Sequence, residues 1–428
     1  MNHKIERISE KTLIVGVDVA KKTHWAQITD SRGIVLCKPV RVDNSAEGFA
    51  LLTNKINELL SAHNLSKAII GFEPSGIYWR TLAWYFFEIE KTSIVGVNPY
   101  HVKQLKELED NTQTKSDRKD ALIIAHLIRD GRFFDVYMPE NEYAELRVLR
   151  RHRSQIADKR KWAFNQIIAI LDEYFPEYES VGFNISSVST RTILRSTPFP
   201  TDIIQTGKDQ LRDKWIEHSK NKRNVYLNNK FAKEIFTLAQ SSIGVKTGLD
   251  AVRRRLSDLL DLLDMFDNQI AQCESEMECL LERLDIGKYL TSVPGVGNVI
   301  AAGFVAETGE LSRFQDWKQI RKLAGLNLVE QSSGKHKGKA RISKRGRPDL
   351  RCIIYQIGDK GMLVSREMHM YYDYLRHRSI NQLKHNQAVL AVGLKLMRIM
   401  FHVVKNKEVY NPDKALGEVR LQQIYNVA

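Results

Sequence analysis

Two acidic side chains, Asp117 and Asp120, lie three residues apart in the segment T-K-S-D-R-K-D-A, at the start of an apolar helical run. On a helix, positions i and i+3 are neighbours, with Cβ atoms roughly 5–6 Å apart. Two negative charges at this separation repel each other, and a hard divalent cation that takes carboxylate oxygens as ligands would stabilise them. The alternative interpretation is helix capping, with Asp117 at the N-cap and Asp120 in the first turn. This segment alone leaves both interpretations open.

Two further acids end apolar runs that are typical of strands. Asp18 interrupts L-I-V-G-V-D-V near its end, and Glu73 directly follows K-A-I-I-G-F. Each could be an ordinary strand-end or loop acid, but a buried unpaired carboxylate within a hydrophobic strand is costly. Ligands of α/β sheets gather where the strand ends open. Acids on two strands and one helix match a site for two Mg²⁺ ions, which in phosphoryl transfer activate the nucleophile and stabilise the leaving oxygen.

The elements around these acids predict an α/β domain over residues 1–140. A turn at residues 30–33 (D-S-R-G) joins two runs as a hairpin, and later strands alternate with helices over residues 50–60 and 77–90. The predicted strands, in chain order, are residues 13–19, 24–29, 33–40, 67–72 and 93–97. Hairpin strands followed by alternating strands and helices give a mixed sheet with helices on its faces, as in the ribonuclease-H-like fold.

The whole chain has the composition of a nucleic-acid-binding protein. Its 428 residues exceed what one hydrophobic core usually serves, and its net charge of +14 with a pI near 9.4 favours a polyanionic partner. The N-terminal apolar run is too short for a membrane span, so no membrane partner is predicted. The four cysteines are scattered, without zinc-site spacing, which is typical of reduced thiols in a cytoplasmic protein.

Residues 141–285 read as a basic helix, a polar insert and a long heptad helix. Residues 142–172 carry seven basic side chains, which suit phosphate contacts or an ordinary solvated helix face in equal measure. Apolar residues then recur with 3-4 spacing over five repeats: Leu249, Val252, Leu256, Leu259, Leu263, Phe266, Ile270, Cys273, Met277, Leu280 and Leu284. This seam predicts a coiled coil and hence a homo-oligomer. The alternative is a helix packed on the basic helix of its own subunit.

Residues 286–428 form the third predicted domain, mainly α-helical, and begin with a helix–Pro-Gly-x-Gly–helix pattern. Gly295 and Gly297 permit a tight turn, and the backbone N–H groups of the following helix can hold a phosphate. The pattern predicts a helix-hairpin-helix that contacts a nucleic-acid backbone. A plain αα-hairpin turn is the alternative.

A basic Gly-containing loop follows, with cations typical of nucleic-acid contact: Lys335, Lys337, Lys339, Arg341, Lys344, Arg345, Arg347 and Arg351. It contains Ser332, Ser333 and Gly334, which composition alone would assign to flexible turn chemistry. A nucleophilic serine needs a base to activate it, and His336 is the only nearby histidine.

Four N-terminal segments, L-I-V-G-V-D-V-A-K-K-T-H-W, G-F-E-P-S-G-I-Y-W, V-G-V-N-P-Y-H-V-K-Q and T-K-S-D-R-K-D-A, resemble the DEDD transposases of the "IS one-ten" insertion-sequence family. The resemblance implies a RuvC-like N-terminal domain whose four acids are Asp18, Glu73, Asp117 and Asp120. The later A-G-L…S-G…I-S-K-R-G…L-R sequence resembles the family's C-terminal transposase domain. There the serine before Gly is the proposed nucleophile, which corresponds to Ser333, with Ser332 as the register alternative.

The resemblance further implies a structured bridge RNA, a composite active site between subunits, and dimers that pair into tetramers on DNA. Two departures from the family pattern are Ser75, where Thr is commoner, and Leu328, where Pro is common after A-G-L. We therefore expect a cytoplasmic, DNA-acting recombinase that requires Mg²⁺. A RuvC-like endonuclease that hydrolyses branched DNA with the acids alone, and a non-catalytic nucleic-acid scaffold, are the alternatives.

Overall fold

The computed structural model describes residues 2–109, 117–181, 184–218, 225–330 and 340–425. The chain divides into two compact units, residues 1–138 and 139–428. The first is an α/β unit and the second is almost entirely helical. Ser332, Ser333, Lys335, Lys337 and Lys339 of the predicted basic loop lie outside the described residues.

The N-terminal unit is built on one six-stranded mixed sheet with the strand order β3-β2-β1-β4-β5-β6. Strands β4 and β5 run parallel to β1, whereas β2, β3 and β6 pair antiparallel with their neighbours. The strands are β1 (Thr12–Asp18), β2 (Thr23–Thr29), β3 (Val40–Asp43), β4 (Lys67–Phe72), β5 (Thr92–Val97) and β6 (Phe133–Asp135). The predicted mixed α/β sheet is thus confirmed.

The third strand differs from the prediction of a strand over residues 33–40. The carboxylate of Asp30 accepts hydrogen bonds from the backbone N–H groups of Arg32 (2.9 Å) and Ile34 (2.8 Å), and Gly33 has a φ of 92°. These contacts stabilise a turn that leads the chain away from β2 after one isolated bridge between Thr29 and Val35. Pairing with β2 resumes only at Val40, so β3 is short.

Helices cover both faces of this sheet because its central strands are apolar on both sides. The helices are α1 (Asn2–Ile5), α2 (Ala46–Ala62), α3 (Trp79–Phe87), α4 (Pro99–Glu109) and α5 (Asp117–Arg129). Leu13, Val15 and Val17 of β1 pack in one core with buried residues of α2 and α3. Ile14, on the opposite face, packs in a second core with α4 and α5. The acids described below lie on the α5 face.

The C-terminal unit contains thirteen α-helices among its described residues, three 3₁₀ turns and a two-stranded ribbon. The helices are α6 (Asn141–Tyr174), α7 (Val188–Ser196), α8 (Pro200–Thr206), α9 (Lys208–His218), α10 (Val225–Gln240), α11 (Leu249–Glu282), α12 (Gly287–Thr291), α13 (Asn298–Thr308), α14 (Trp317–Leu323), α15 (Pro348–Val364), α16 (Arg366–His377), α17 (His385–Asn406) and α18 (Glu418–Tyr425). The 3₁₀ turns are Pro176–Val181, Leu311–Arg313 and Pro412–Lys414, and the ribbon pairs β7 (Leu328–Val329) with β8 (Arg341–Ile342).

The heptad seam of α11 is buried inside the chain. Seven of its residues, from Leu256 to Leu280, are buried and pack with α6 and the helices of the insert. Helices α6 and α11 run antiparallel, since Arg153 pairs with Glu274 and Arg160 pairs with Asp267. Packing on the basic helix of the same subunit, the alternative named above, therefore accounts for the seam without a second chain.

A buried arginine is one of the contacts that attach the insert to this helix pair. Arg191 of α7 is 4% exposed and bridges Asp264 and Asp267 of α11, with its Nη2 2.6 Å from Asp267 Oδ2. A buried guanidinium needs such partners, because an unpaired charge in an apolar core is costly. The sequence of residues 180–240 contains no catalytic motif, and Arg191 gives part of this insert a structural role.

The C-terminal core centres on α15 and α17, which cross at two glycines. A Cβ on Gly358 would overlap the carbonyl oxygen of Val389, and one on Gly393 would overlap that of Ile354. Helix α17 is long and apolar enough to span a membrane by length and composition. However, its Val392, Leu396 and Met400 are fully buried in this core, which explains its apolar composition.

Candidate metal centre and nucleic-acid interface

Asp18 and Glu73 lie side by side at the ends of two adjacent parallel strands. Val17 of β1 pairs in register with Phe72 of β4, and each acid is the next residue along its chain. Side chains alternate between the faces of a sheet. Because Val17 and Phe72 both pack in the α2/α3 core, the residues that follow them project to the opposite, α5 face. The pairing register therefore places both carboxylates on one face of one sheet edge.

Gly16 allows helix α5 to lie directly on this face. A Cβ on Gly16 would overlap the Ala121 carbonyl oxygen and the Ala125 backbone nitrogen of α5. Similarly, a Cβ on Gly71 would contact the Ile128 side chain at 2.5 Å. The two glycines thus set the height of α5 above β1 and β4. The N-terminal turn of α5, with Asp120, lies next to the strand ends that carry the other acids.

Asp120 is held by a cation that the sequence analysis did not single out. Lys106 Nζ of α4 lies 2.5 Å from Asp120 Oδ2, and the Asp120 residue is only 9% exposed. An ammonium group paired with a nearly buried carboxylate offsets its desolvation cost. Helix periodicity gives a signal for Lys106, because it follows the buried Val102 by four residues and so shares its inward face.

The pKa shift of Glu73 shows that it lies near the charges of Asp120 and Lys106. Burial raises the pKa of Glu73 above its ordinary value, and the negative charge of Asp120 raises it further, whereas the Lys106 ammonium lowers it. A carboxylate whose negative charge raises the pKa of Glu73 must lie close to it. Glu73, Asp120 and Lys106 thus form one charge cluster at the edge of the sheet, next to Asp18.

Among the side chains that the structure describes, no three His, Cys, Asp or Glu residues are grouped closely enough to hold a metal ion. The side chain of Asp117, the fourth predicted ligand, lies outside that description, although Asp117 is the first residue of α5. The donors present here are carboxylate oxygens, which suit Mg²⁺, a hard cation. In donor chemistry, the described acids fit the predicted ion.

The predicted helix-hairpin-helix gives its two glycines different environments. Gly295 has a φ of 78°, and a Cβ there would overlap the backbone of Gly361 in α15. Gly297 is the N-cap residue of α13 and has no atom within 4 Å of its Cβ position. Gly295 is therefore required for packing within the unit. Gly297 leaves open space at the N-terminus of α13, where a phosphate can approach backbone N–H groups.

The basic loop is attached to the C-terminal core by its own cations. Arg347 donates to the Glu307 carbonyl and lies 3.6 Å from the Glu307 carboxylate, which is almost fully buried. Arg351 donates to the Ala324 carbonyl at 2.9 Å. By contrast, Arg341, Lys344 and Arg345 are exposed. Arg347 and Arg351, two of the predicted phosphate-binding cations, thus contact the core of the unit. Residues 331–339, which contain both serines, lie between β7 and β8 in the chain.

Part of the basic helix α6 is likewise engaged within the chain. Arg153 and Arg160 pair with Glu274 and Asp267 of α11. Arg151, Lys159 and Lys161 are exposed on the same helix. The ion pairs of Arg153 and Arg160 thus differ from both interpretations of this stretch. Phosphate contact by the exposed cations stays a prediction.

Two family profiles match this chain, and both describe transposases of the same group. A DEDD transposase profile of the IS110 type matches residues 15–176, and the profile "Transposase IS116/IS110/IS902 family" matches residues 287–373. Together these segments span more than half of the 428 residues. The first includes all four predicted acids, and the second includes Gly295, Gly297 and the basic loop.

Curated relatives agree with the profiles over nearly the whole chain. An insertion element IS116 protein of 44.8 kDa from Streptomyces clavuligerus is 24% identical over 93% of this chain and 96% of its own length. A mini-circle protein of IS117 from Streptomyces coelicolor is 26% identical over 76% of this chain and 78% of its own length. The transposase for insertion sequence element IS1111A of Coxiella burnetii is 22% identical over 60% of this chain and 56% of its own length. The chain belongs to the IS110/IS116 family of insertion-sequence transposases.

Proposed function

We propose that this transposase moves an insertion sequence by cleaving and exchanging DNA strands at a Mg²⁺ centre held by Asp18, Glu73, Asp117 and Asp120. The observation that carries the proposal is the in-register placement of Asp18 and Glu73 on the face of β1 and β4 that α5 covers. The order β3-β2-β1-β4-β5, with an antiparallel hairpin followed by parallel strands, supports a RuvC-like assignment of this unit.

The four acids would bind two Mg²⁺ ions, which when bound neutralise charge on the scissile phosphate and favour its in-line displacement. The chain's own residues prepare the site for this role. Glu73 is partly buried, and burial raises its pKa. A bound cation would therefore stabilise the charged form of this carboxyl group. Lys106 holds the Asp120 carboxylate in a fixed position and limits the repulsion within the cluster before a cation binds.

We assign the nucleophile to Ser333, on the family resemblance of the S-G sequence between β7 and β8. The Ser333 oxygen forms a bond to the phosphorus, the bond from phosphorus to the neighbouring nucleotide's oxygen breaks, and the serine proton passes to solvent. The leaving oxygen takes up a proton from solvent. A hydroxyl released in the same way from the other strand then attacks the serine-linked phosphorus, and the Ser333 oxygen leaves and regains a proton. Exposed Arg341, Lys344 and Arg345 at the base of this loop supply positive charge for the phosphate.

The charge of the chain supports the further proposal that a structured bridge RNA brings donor and target DNA together. A net charge of +14 suits a protein that contacts several phosphate backbones. Sequence choice would then lie in base pairing by the RNA, and the protein would contact backbone and shape. A composite active site between subunits of a dimer or tetramer completes this proposal.

Matched serine variants test the reaction. The protein is incubated with its element ends, the terminal RNA and Mg²⁺, and protein-linked DNA is resolved on a denaturing gel. We expect Ser333→Ala to lose both the adduct and strand exchange, whereas Ser332→Ala retains both. If Ser333→Ala still cuts branched DNA at the parent rate, the chain acts as a metal-dependent endonuclease. If Asp18→Asn leaves all Mg²⁺-dependent activity unchanged, the metal centre is wrong.

A further inference from the structure

A pocket of about 400 Å³ in the C-terminal unit is lined by three cations to which the proposed function gives no role. Lys395 and Arg398 are one helical turn apart on α17, and Arg420 belongs to α18. Gly417 and Glu418, at the start of α18, also line the pocket. The three cations come from two helices that are separate in sequence, so no local charge run marked them.

The three cations have no anionic partner among the residues that the structure describes. Neither a hydrogen bond nor an ion pair is formed there by Lys395, Arg398 or Arg420. Glu418 lines the same pocket but makes no ion pair with any of them. Since like charges repel, a cluster of this kind lowers the stability of the fold unless an anion occupies it.

Aromatic rings orient the arginines without neutralising them. The Arg420 guanidinium lies 5.3 Å from the ring centroid of Tyr371 and 5.2 Å from that of Tyr374, both on α16. The Arg398 guanidinium lies 5.8 Å from the Trp317 ring. A cation–π contact attracts and positions a guanidinium, but the ring carries no net charge. The positive charge therefore stays available to a ligand.

The lowered pKa of Lys395 shows that its charged form is disfavoured in the absence of an anion. Lys395 is half-buried on α17, and burial lowers the pKa of Lys395, with the charges of Arg398 and Arg420 lowering it further. A lysine used only for packing would be replaced by an apolar residue at no such cost. A lysine that lines one pocket with two arginines is an arrangement that a bound anion would stabilise.

The shape of the pocket suits a phosphate. Gly417 has a φ of 75° and no atom within 4 Å of its Cβ position, so the backbone before α18 is open to a ligand. The first N–H groups of a helix and an adjacent cation cluster together form a recurrent phosphate-binding arrangement. The pocket is open to solvent through the exposed residues Arg398, Gly417 and Glu418, which gives access to a phosphate within a polymer.

We infer that Lys395, Arg398 and Arg420 form a binding site for a backbone phosphate of a nucleic-acid strand. The three cations belong to other segments of the sequence than Ser333 and the four acids, and the site binds a phosphodiester without a metal ion and without a chemical step. DNA and RNA share this chemistry, and the strand that occupies the site is distinguished by experiment. The inference goes beyond the proposed function, since it concerns anchoring of the nucleic acid and not its cleavage.

The test measures binding in EDTA, with Asp18→Asn as the background so that no reaction occurs. Fluorescence anisotropy is recorded for a DNA duplex and for an RNA hairpin across a range of salt concentrations. One lost phosphate contact lowers the magnitude of the slope of log K against log salt by about 0.9 for duplex DNA. We expect Lys395→Gln/Arg420→Gln to lower the affinity for the bound strand about tenfold or more. The magnitude of the salt slope should fall by about 0.9 to 1.8, which corresponds to one or two phosphate contacts.

Lys405→Gln is the matched control, because Lys405 lies on the same helix, is exposed and also contacts an aromatic ring, 5.8 Å from the Phe401 centroid. It removes one charge outside the pocket, and we expect its salt slope to stay within error of the parent. Loss with DNA only, or with RNA only, identifies the strand that the site holds, and either result supports the inference.

Melting temperatures provide a second test, which does not depend on nucleic acid bound at other surfaces. Without ligand, Lys395→Met should melt at or above the parent temperature, since it removes a half-buried charge from between two arginines. A short oligonucleotide should raise the melting temperature of the parent more than that of Lys395→Met. Unchanged affinity and salt slope in Lys395→Gln/Arg420→Gln for both strands would overturn the inference. So would stabilisation of the parent by inorganic phosphate with no change in nucleic-acid affinity.

Discussion

The acids of the N-terminal unit and the cations of the C-terminal loop differ in how the fold positions them. Asp18 and Glu73 are placed by the register of two parallel strands, and Asp120 by a helix whose height two glycines set. The described cations near the serine loop divide into those that hold the loop on the core, Arg347 and Arg351, and exposed ones. The strand register fixes the position of each sheet carboxylate. For a cation in the basic run, contacts with neighbouring residues determine whether it stabilises the fold or stays exposed.

The largest expected effect is on the rate of strand exchange, compared between one charge-removing variant in each region. Asp18→Asn removes one proposed metal ligand, and a loss of several kcal/mol of transition-state stabilisation corresponds to a rate decrease on the order of 10³-fold or more. Lys344→Gln removes one exposed cation at the base of the loop, and we expect a decrease of about tenfold or less. Both rates are measured by strand exchange at saturating Mg²⁺. Similar losses in the two variants would contradict the distinction.

Gly16→Val tests whether backbone contact between α5 and β1 is needed to place the acids. Its side chain would overlap the backbone of Ala121 and Ala125, which no rotamer change can relieve. We expect a loss of about 3 kcal/mol in the free energy of unfolding, measured by urea denaturation. Ile14→Val, on the same face of β1, serves as the control and should cost about 1 kcal/mol. A Gly16→Val protein as stable as this control would show that α5 does not lie on β1.

The two glycines of the predicted helix-hairpin-helix, Gly295 and Gly297, provide a similar contrast within the C-terminal unit. Gly295→Ala places a Cβ against the Gly361 backbone at a positive φ, and we expect it to destabilise the protein by about 2 kcal/mol. Gly297→Ala meets no atom and should cost less, about 0.5 kcal/mol, because Ala is a poorer N-cap residue than Gly. If the open N-terminus of α13 contacts a phosphate, Gly297→Ala weakens DNA binding in anisotropy assays. Equal stability of both variants would contradict the conclusion that packing requires Gly295 but not Gly297.

The smallest effect concerns Glu73, which carries a cost to stability before a cation binds. A carboxyl group whose pKa is raised on folding contributes stability below its unfolded pKa, and this contribution is lost as the pH rises through the folded pKa. Without Mg²⁺ at pH 7, Glu73→Gln should therefore melt at or slightly above the parent temperature. The difference should shrink as the pH falls below the ordinary pKa of glutamate. A lower melting temperature at pH 7 would mean that the Glu73 charge stabilises the fold.

The sequence predicted the strand and helix ends beside which the acids lie, because that information is local. An apolar strand that ends in an acid, and two acids one turn apart, are visible without the fold. Helix α5 does begin at Asp117, and β1 and β4 end next to Asp18 and Glu73. What spacing could not show was the face of the sheet on which the acids lie, which depends on the pairing of β1 with β4 and on Gly16.

Features that depend on distant parts of the chain were missed or left open. The heptad seam of α11 has the same period whether its partner is another subunit or α6, and ion pairs such as Arg153–Glu274 identify α6. The cluster of Lys395, Arg398 and Arg420 is assembled from two helices, so no run of charge marks it. The strand predicted over residues 33–40 was wrong because hydrogen bonds to Asp30 favour a turn over continued pairing.

The central claim, that the acids of two strands and one helix share a cation site, is tested most directly by metal-directed cleavage of the protein backbone. Fe²⁺ replaces Mg²⁺, and ascorbate with peroxide generates radicals that cut the chain beside the bound ion. We predict cuts near residues 18, 73 and 117–120, which are competed by excess Mg²⁺ and abolished in Asp18→Asn. Cuts elsewhere, or an identical cleavage pattern in Asp18→Asn, would contradict a metal centre at this sheet edge.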